Sequence, residues 1–436
     1  MEAKVRLKRH QFLIKFLNML KKIFHYNPIL NKIFQKPEKI SFRWSLIIPV
    51  LILVVISLIT LKHTSAGNSI LASTFIKQII WLAIGFFIFL LAHWLRIQYF
   101  QEYAFHLYFL LIIMISVTYF MPIKGGSQRW IIFGPIFFQP SEIGKLLLVF
   151  ILARILSEQK GKMNEIKLLT LVLFITFIPA LMVFNQPDFG TAIVYGFVSI
   201  PMLYWSGIRS FYLFSIIAPF ISIISAFDIF IFSMWMGLLV LVIYFSQPRI
   251  FSGVSQFVLN VGFGILSPYI WNNILYEHQK DRIMTLLNPA SDPQGSGYQV
   301  IQSIIAIGSG GLWGKGVGEG TQTQLRYLPV RDTDFIISVI GEEMGLFGIL
   351  IILMAFFIML YWMIIYAGII SNSFSSLTIV GFASILFSHF IVNMGMTVGL
   401  FPVTGLPAPF LSYGGSFLLS CILIIALSSS IINNHI

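Results

Sequence analysis

The sequence predicts an all-α polytopic membrane protein with about 10–12 transmembrane helices and one large extracytoplasmic loop. Hydrophobic residues make up 57% of the 436 residues and charged residues only 10%, with a mean hydropathy of +0.88. A soluble domain carries about 25% charged residues, so this chain has too few charges to cover a water-facing surface. Apolar runs of about 20 residues, the length that spans a bilayer, recur along the chain. Lipid must therefore contact most of the surface.

The chain divides into a basic N-terminal segment, residues 1–45, and one transmembrane domain, residues 46–436. The segment holds eleven of the 28 Lys and Arg. Lys8, Lys15 and Lys22 repeat every seven residues, which is typical of a basic helix on an anionic cytoplasmic leaflet; a disordered basic tail is the alternative. The net charge of +12 is explained by basic cytoplasmic loops rather than by nucleic-acid binding.

Twelve apolar runs are predicted to span the membrane, and an even number places both termini on one side. The basic residues of the N-terminal segment and of the turns that follow every second span make that side the cytoplasm. The predicted spans are 46–61, 75–95, 103–121, 141–157, 167–184, 190–206, 211–227, 229–246, 252–272, 335–366, 377–397 and 413–432.

The long outer loop, about 273–334, contains a candidate catalytic carboxylate. Asp292 lies in a stretch interrupted by Pro289, Pro293, Gly295 and Gly297, which forbid a continuous helix. A carboxylate on such a turn can act as a general base if burial raises its pKa. Capping a turn is the commonest task of Asp before Pro, and the residues alone leave both interpretations open.

The same loop continues into a glycine-rich stretch, residues 307–320, which includes Lys315. Glycines let a backbone approach a ligand closely, and the lysine could face a phosphate. The spacing does not fit a Walker A loop. A flexible surface hinge is the alternative.

Ionisable residues at the outer ends of spans are further candidates, because charges at membrane depth are costly and usually functional. Glu142 and Lys145 are three residues apart and share one helix face, either in a site or as a neutralised structural pair. Asp188 either caps the helix that follows it or points into a polar cavity.

Other candidates lie in the two outer loops and at the start of the tenth span. Arg129 suits a pyrophosphate, and its neighbour Trp130 suits a site or an interfacial anchor. Arg331 precedes the tenth span. Glu343 lies beside a second glutamate in an apolar run, so at least one of the two should face protein or water. The eight histidines are scattered without metal-ligand spacing.

Together these segments resemble the SEDS family (shape, elongation, division and sporulation), whose motifs occur here in the family's order from about residue 46. The 320–325 stretch is more similar to the elongation branch of the family than to its division branch. The matching stretches are Arg129-Trp130, Gln139-Pro-Ser-Glu142, Gln186-Pro-Asp188-Phe-Gly-Thr191, Asp292-Pro-Gln-Gly-Ser-Gly-Tyr298, Ile307-Gly-Ser-Gly-Gly-Leu-Trp-Gly-Lys315-Gly, Thr333-Asp334-Phe335, Gly341-Glu-Glu343 and Ser412-Tyr-Gly-Gly-Ser416.

The resemblance implies a peptidoglycan glycosyltransferase of the bacterial inner membrane that polymerises lipid II during cell elongation and maintains cell shape. It implies a periplasmic active site, a class B penicillin-binding protein as partner, and Asp292 as the essential catalytic carboxylate. It also suggests a divalent cation, Mg or Mn, near that aspartate.

The chain departs from the family pattern at three places. Val330 and Asp332 replace a glutamate and a histidine, which leaves the roles of those positions open. The region 211–272 is predicted to hold three spans where the family has one, and the additional hairpin preserves sidedness.

The expected reaction joins the 4-hydroxyl of one sugar to the anomeric carbon of another. A lipid pyrophosphate leaves as a stable anion, so one base and some positive charge suffice, whereas glycosidases use a second carboxyl. We expect Asp292 to be the base, with Arg129, Lys145, Lys315 and Arg331 as candidates for the pyrophosphate. Glu142, Asp188 and Glu343 are expected to shape the cavity. The alternative functions are a flippase for a lipid-linked precursor and a non-catalytic scaffold of the cell-wall machinery.

Overall fold

The computed structural model describes residues 43–65, 73–123, 128–133, 136–273, 280, 295–325, 327–328 and 330–435. The predictions for the basic N-terminal segment and for Asp292 fall outside these described residues.

The described chain is helical apart from one short hairpin and the connecting loops. The first half contains α1 (Trp44–Thr64), α2 (Thr74–Ala92), α3 (Ile97–Glu102), α4 (Ala104–Thr118), the antiparallel strands β1 (Ile131–Phe133) and β2 (Ile136–Phe138), α5 (Pro140–Gln159), α6 (Glu165–Phe184) and α7 (Phe189–Trp205). The second half contains α8 (Ser210–Ser225), α9 (Ile229–Ser246), α10 (Ile250–Asn273), α11 (Ser296–Gly310), α12 (Thr321–Gln324), α13 (Ile336–Ile369), α14 (Ser373–Thr397) and α15 (Gly415–His435).

The predicted fold class is confirmed, since each of the twelve predicted spans coincides with a helix. Eight of the described helices are long and apolar enough to cross a membrane, and three shorter apolar ones, α4, α7 and α8, accompany them. The remaining span, α5, is less apolar because it carries several charged residues. Lipid tolerates charge poorly, so this helix has to lie inside the bundle.

The core of the bundle is formed by α5, α14 and α15, which are almost wholly buried. Phe150 of α5 packs edge-on against Phe382 of α14, with ring centroids 5.7 Å apart. Phe390 stacks on Phe356 of α13 at 4.0 Å. The outer helices expose large apolar side chains to the lipid phase, which is the arrangement expected where the bilayer replaces water as solvent.

The three predicted spans of region 211–272 are present and form a unit of their own, α8–α10. They contact one another more than they contact the rest of the bundle. Asn260 accepts a 2.6 Å hydrogen bond from Ser222, whose hydroxyl in turn accepts one of 2.7 Å from Trp235. Such side-chain bonds hold helices together where lipid offers no hydrophobic driving force. The middle helix, α9, is almost wholly exposed.

The glycine-rich stretch, residues 307–320, begins in the last turn of α11 and continues as a loop that packs against a kink in α13. Gly345 breaks α13 with a φ of +65°, which frees the carbonyls of Glu342 and Glu343. These accept the backbone N–H groups of Lys315 and Gly316 at 3.0 and 3.1 Å. A Cβ at Gly310 or Gly314 would collide with the backbone of α13, so the arrangement favours close packing over the alternative of a flexible surface hinge.

The segment between α14 and α15, residues 398–414, is irregular, and its buried part lies between residues 406 and 412. Ser57 of α1 donates to the carbonyl of Leu411 at 2.5 Å, and Ser412 donates to that of Thr333 at the same distance. Backbone without helical bonds is tolerated at this depth because protein groups satisfy it.

Candidate functional site

A cavity of about 730 Å³ opens at the predicted outer end of the bundle. Every residue that lines it lies at that end of its helix or in an adjoining outer loop. Its charged walls are Lys77, Arg129, Glu142, Asp188 and Asp334. Its aromatic walls are Trp81, Trp130, Phe137, Tyr413 and Phe417. The combination suits a ligand with both an anionic and a ring-shaped part.

Asp188 ties two walls of the cavity together and fulfils both roles that its sequence position allows. One carboxylate oxygen caps α7 by accepting the N–H of Thr191 at 3.3 Å. The other accepts the amide of Gln139 at 2.9 Å and lies 3.6 Å from the guanidinium of Arg129. Asp188 is buried, whereas one third of the Arg129 side chain is exposed to the cavity.

Arg129 keeps hydrogen-bonding capacity for a ligand. Its ion pair with Asp188 uses one terminal nitrogen of the guanidinium, and its Nε is buried without a hydrogen-bond partner among the described residues. Buried donors are normally satisfied, so an acceptor in the cavity would complete this group. A planar guanidinium can donate two parallel hydrogen bonds to two oxygens of one phosphate group.

Beneath the cavity, Glu142 and Lys145 form the ion pair that their i,i+3 spacing allows. Lys145 donates to the Glu142 carboxylate at 2.8 Å and to Nε2 of His389 at 2.6 Å. All three side chains are buried, and only Glu142 reaches the cavity wall. Lys145 therefore compensates the charge of Glu142 from below, and its ammonium group is committed to protein partners.

Five helices begin around the cavity: α2, α5, α7, α13 and α15. Each contributes lining residues from its first turns or from the loop just before it. A helix N-terminus carries a partial positive charge and free N–H groups, and it is a natural anion site. The cavity therefore attracts negative charge even though its side chains include carboxylates.

The β1–β2 hairpin covers one side of the cavity with aromatic rings. Trp130, which precedes β1, meets Phe137 of β2 edge-on, with ring centroids 6.5 Å apart. The Ser416 hydroxyl, in the first turn of α15, donates to the carbonyl of Phe137 at 3.1 Å. The hairpin is thereby attached to the core, and its rings are held as a wall on which a sugar can stack.

Asp334 is the cavity carboxyl with a perturbed pKa. It lies in the turn before α13, where burial raises its pKa, against the lowering effects of a hydrogen bond from Thr333 and of the Arg129 charge. Its backbone carbonyl accepts the amide of Asn393 at 2.8 Å, which fixes the turn. Perturbed carboxyls in clefts mark functional sites.

The structure brings five of the predicted site residues to the cavity or directly beneath it, and it places three elsewhere. Arg129, Trp130, Glu142 and Asp188 line the cavity, with Lys145 immediately below Glu142.

Lys315, Arg331 and Glu343 form a second group around the glycine loop. Lys315 donates to Glu342 at 2.8 Å. Arg331 donates to the backbone carbonyls of Thr323 and Thr64, and Glu343 is buried beneath the loop. Since protein groups hold both cations outside the cavity, we leave them out of pyrophosphate binding.

Lys77, Gln139 and Asp334 of the cavity wall, and His389 beneath it, were not among the predicted site residues. Lys77 and His389 are each the one ionisable residue of an apolar helix, which is a signal of function in membrane proteins. Gln139 gave no such signal, because an amide before Pro reads as an ordinary helix start. Its contact with Asp188 joins residues 49 positions apart.

The described residues do not assemble a metal site. Nowhere among them do three His, Cys, Asp or Glu side chains come together in a way that could hold an ion. The cavity carboxylates of Glu142 and Asp188 are each already paired with a cation. We therefore derive no step of the reaction through a divalent cation.

Comparison with known proteins places this geometry in a family. The FtsW/RodA/SpoVE family model, described as cell cycle protein, matches residues 39–236 and 230–435. The chain is 33% identical over 383 residues to "Peptidoglycan glycosyltransferase MrdB" of Escherichia coli K12, covering 88% of this chain and 91% of that protein. It is 34% identical over 311 residues to "Stage V sporulation protein E" of Bacillus subtilis, covering 71% of this chain and 72% of that protein.

Solved structures share the fold. A chain from "Structural coordination of polymerization and crosslinking by a peptidoglycan synthase complex" superposes with a TM-score of 0.69 at 23% identity, covering 91% of this chain and 99% of that one. The Thermus thermophilus rod shape determining protein RodA gives a TM-score of 0.60 at 21% identity, covering 92% and 99%.

Proposed function

This chain belongs to the FtsW/RodA/SpoVE family of cell cycle proteins, the SEDS family, and from that premise we propose how it works as a peptidoglycan glycosyltransferase. It is an enzyme of cell-wall synthesis. Our proposal is that it polymerises lipid II into glycan strands in the outer-end cavity during cell elongation, with Asp292 as the base.

The single observation that carries the proposal is the outer-end cavity. It combines an incompletely satisfied guanidinium, five helix N-termini and a wall of aromatic rings. A lipid-linked disaccharide pyrophosphate presents the matching groups, because its pyrophosphate is anionic and its sugars offer apolar faces for stacking. Arg129 and Lys77 supply the side-chain charge for the pyrophosphate.

The proposed step forms one bond and breaks one. The 4-hydroxyl of the acceptor sugar attacks the anomeric carbon of the donor, and its proton passes to the carboxylate of Asp292. The bond between that carbon and the pyrophosphate oxygen breaks, and the lipid pyrophosphate leaves with the electron pair. Arg129 and the helix N-termini stabilise the charge that develops on the leaving oxygen, which is the largest contribution such sites usually make.

The experiment that tests this step is polymerisation of purified lipid II by the D292A and D292N variants. Asp228 provides a matched control, since it is an exposed aspartate at the same end of the bundle that caps α9 through the N–H groups of Phe230 and Ile231. We expect both Asp292 variants to lose glycan formation while keeping a normal unfolding temperature, and D228A to keep activity. Normal glycan chains from D292A would refute the assignment.

The closed floor of the cavity favours polymerisation over flipping. A flippase needs a path that continues to the inner end. Here Lys145, Tyr195, Phe150 and Phe382 are fully buried in the helices below the cavity, so the described residues offer no opening through the core. A scaffold without catalysis would not need a cavity lined by partly unsatisfied polar groups.

The proposed function also implies a partner protein and an orientation in the membrane. A solved neighbour of this fold comes from a peptidoglycan synthase complex that coordinates polymerisation and crosslinking. We therefore assign to this chain a class B penicillin-binding protein as the crosslinking partner. The multi-pass chain is placed in the bacterial inner membrane, with both termini in the cytoplasm and the cavity facing the periplasm, where crosslinking takes place.

A further inference from the structure

A second cavity, of about 450 Å³, lies at the predicted inner end of the bundle. Its volume is within the range of about 300–1,000 Å³ that is usual for ligand sites. Three inner turns contribute to its wall, the first through residues 160–161 and 163–164, the second through 206–209 and the third through Arg249. The first turn belongs to the main bundle, the second leads into the α8–α10 unit, and the third lies within that unit. The cavity therefore occupies the junction between the unit and the bundle.

Three basic side chains and one carboxylate line this inner cavity. Arg209 forms an ion pair with Glu165, with 3.2 Å between Nε and Oε1. Lys160 and Arg249 have no carboxylate within ion-pair distance in the part of the chain that the structure describes. Both are exposed to the cavity mouth. Three cations against one anion leave the lining positive.

The backbone adds to this positive charge. Helices α6, α8 and α10 begin at the three turns, so their N-termini point toward the cavity. The side chains of the N-cap residues, Asn164 of α6 and Arg209 of α8, accept no N–H of their helices, while the carboxylate of Glu165 accepts the N–H of Arg209 at 3.4 Å. These N-termini strengthen a field that Lys160 and Arg249 already create.

The floor of the cavity has the opposite character. Leu168 and Ile208 are buried there, and Tyr212 stands half-buried beside them. A positive rim above an apolar floor, at the level where helices leave the bilayer, fits a group with an anionic head and an apolar tail. Basic pockets between transmembrane helices on the cytoplasmic side bind anionic lipid headgroups.

We propose that the inner cavity binds the phosphate of an anionic phospholipid, of the phosphatidylglycerol class, and that this lipid ties the α8–α10 unit to the bundle. Lys160 contacts the phosphate from the bundle and Arg249 from the unit. A soluble phosphate ester offers the same charged group without the tail, so the test has to distinguish the two sources. The proposal does not depend on the polymerase activity.

The test measures the unfolding temperature of the purified full-length chain in bicelles. One arm adds phosphatidylglycerol to phosphatidylcholine, and the other adds glycerol phosphate as the soluble ester. The variant K160Q/R249Q removes the two unpaired cations of the cavity. The control K162Q/K167Q removes two exposed lysines of the same end that do not line it.

We expect phosphatidylglycerol, and not glycerol phosphate, to stabilise the wild-type chain saturably. Each basic residue near anionic lipid contributes a factor of about five in affinity, so K160Q/R249Q should bind about 25-fold more weakly. The conservative variant K160R/R249K should bind phosphatidylglycerol nearly as well as the wild type. This result would show that the loss in K160Q/R249Q comes from the missing charges and not from altered folding. Equal losses in K160Q/R249Q and K162Q/K167Q would overturn the site in favour of diffuse surface charge. Stabilisation by glycerol phosphate alone would overturn the lipid assignment.

Discussion

Removal of the buried lysine beneath the cavity should destabilise the protein more than any exposed charge change on the same helix. Lys145 is 1% exposed and lies 2.8 Å from Glu142. At an effective dielectric constant of about 20, that separation corresponds to about 6 kcal/mol of attraction, which the cost of burying both charges partly offsets. K145M leaves Glu142 buried and uncompensated, so we expect a loss of about 3–5 kcal/mol in the free energy of unfolding.

The double variant E142L/K145M provides the decisive comparison. With both charges gone, only the lost donor to His389 remains as a cost, about 1–3 kcal/mol. Equilibrium unfolding in mixed micelles measures the free energy of unfolding of E142L, of K145M and of the double variant. E158Q is the matched control, since the Arg154–Glu158 pair of α5 is partly exposed and is worth about 0–1 kcal/mol. A double variant as unstable as the sum of E142L and K145M would refute the coupling.

Three further predictions concern the glycine loop and the cavity. G310A adds a Cβ that collides with the carbonyl oxygen of Gly341, so it should lower the free energy of unfolding by about 1–3 kcal/mol in chemical denaturation. The Cβ of G308A meets open space, so this variant should be neutral or slightly stabilising. Equal effects of the two variants would contradict the packing of the glycine loop on α13. D334N should have the same unfolding temperature as the wild type below pH 3.8 and a higher one as pH rises above it. Burial raises the pKa of Asp334 in the folded state, so ionisation of this carboxyl destabilises the wild type only above the unfolded-state pKa. A difference that does not change with pH would contradict burial of the carboxyl. R129M should lower kcat/KM for lipid II polymerisation by about tenfold to a hundredfold, because it removes one hydrogen bond from a charged donor. An unchanged kcat/KM would show that Arg129 does not bind the pyrophosphate.

The sequence predicted best those features that depend only on residues close together in the chain. Apolar runs predicted twelve spans, each of which coincides with a helix, because length and composition decide whether a segment can span a bilayer. The i,i+3 spacing of Glu142 and Lys145 allowed an ion pair as one of two alternatives, and the position of Asp188 before α7 allowed its cap as one of two. Each inference required only the geometry of one helix.

Contacts between distant segments could not be predicted in this way. The ion pair of Lys315 with Glu342 forms because the glycine loop lies against the kink at Gly345, and nothing in the local sequence specifies that kink. His389 reaches Lys145 across 244 positions. The glycines could signal either ligand approach or backbone packing, and only the three-dimensional arrangement shows that they pack against α13.

The family resemblance and the residue patterns contributed different things. The resemblance gave the reaction and the role of Asp292, which stays a prediction because that residue lies outside the described part of the chain. The structure contributed the cavity, which brings Arg129, Glu142 and Asp188 together although they come from three separate segments. It also added Lys77, whose lone charge in α2 is a signal that sequence reading should weigh more heavily.

The most direct test of the central claim is the accessibility of the cavity from outside the cell, with and without substrate. Cys421 is buried, so a single cysteine introduced at Ser416 of the cavity or at Lys162 of the opposite end can be followed with a membrane-impermeant maleimide in intact spheroplasts. We predict labelling of S416C without permeabilisation, its suppression by lipid II, and labelling of K162C only after permeabilisation. Labelling of K162C in intact spheroplasts, or labelling of S416C that lipid II leaves unchanged, would contradict an outward-facing polymerase site.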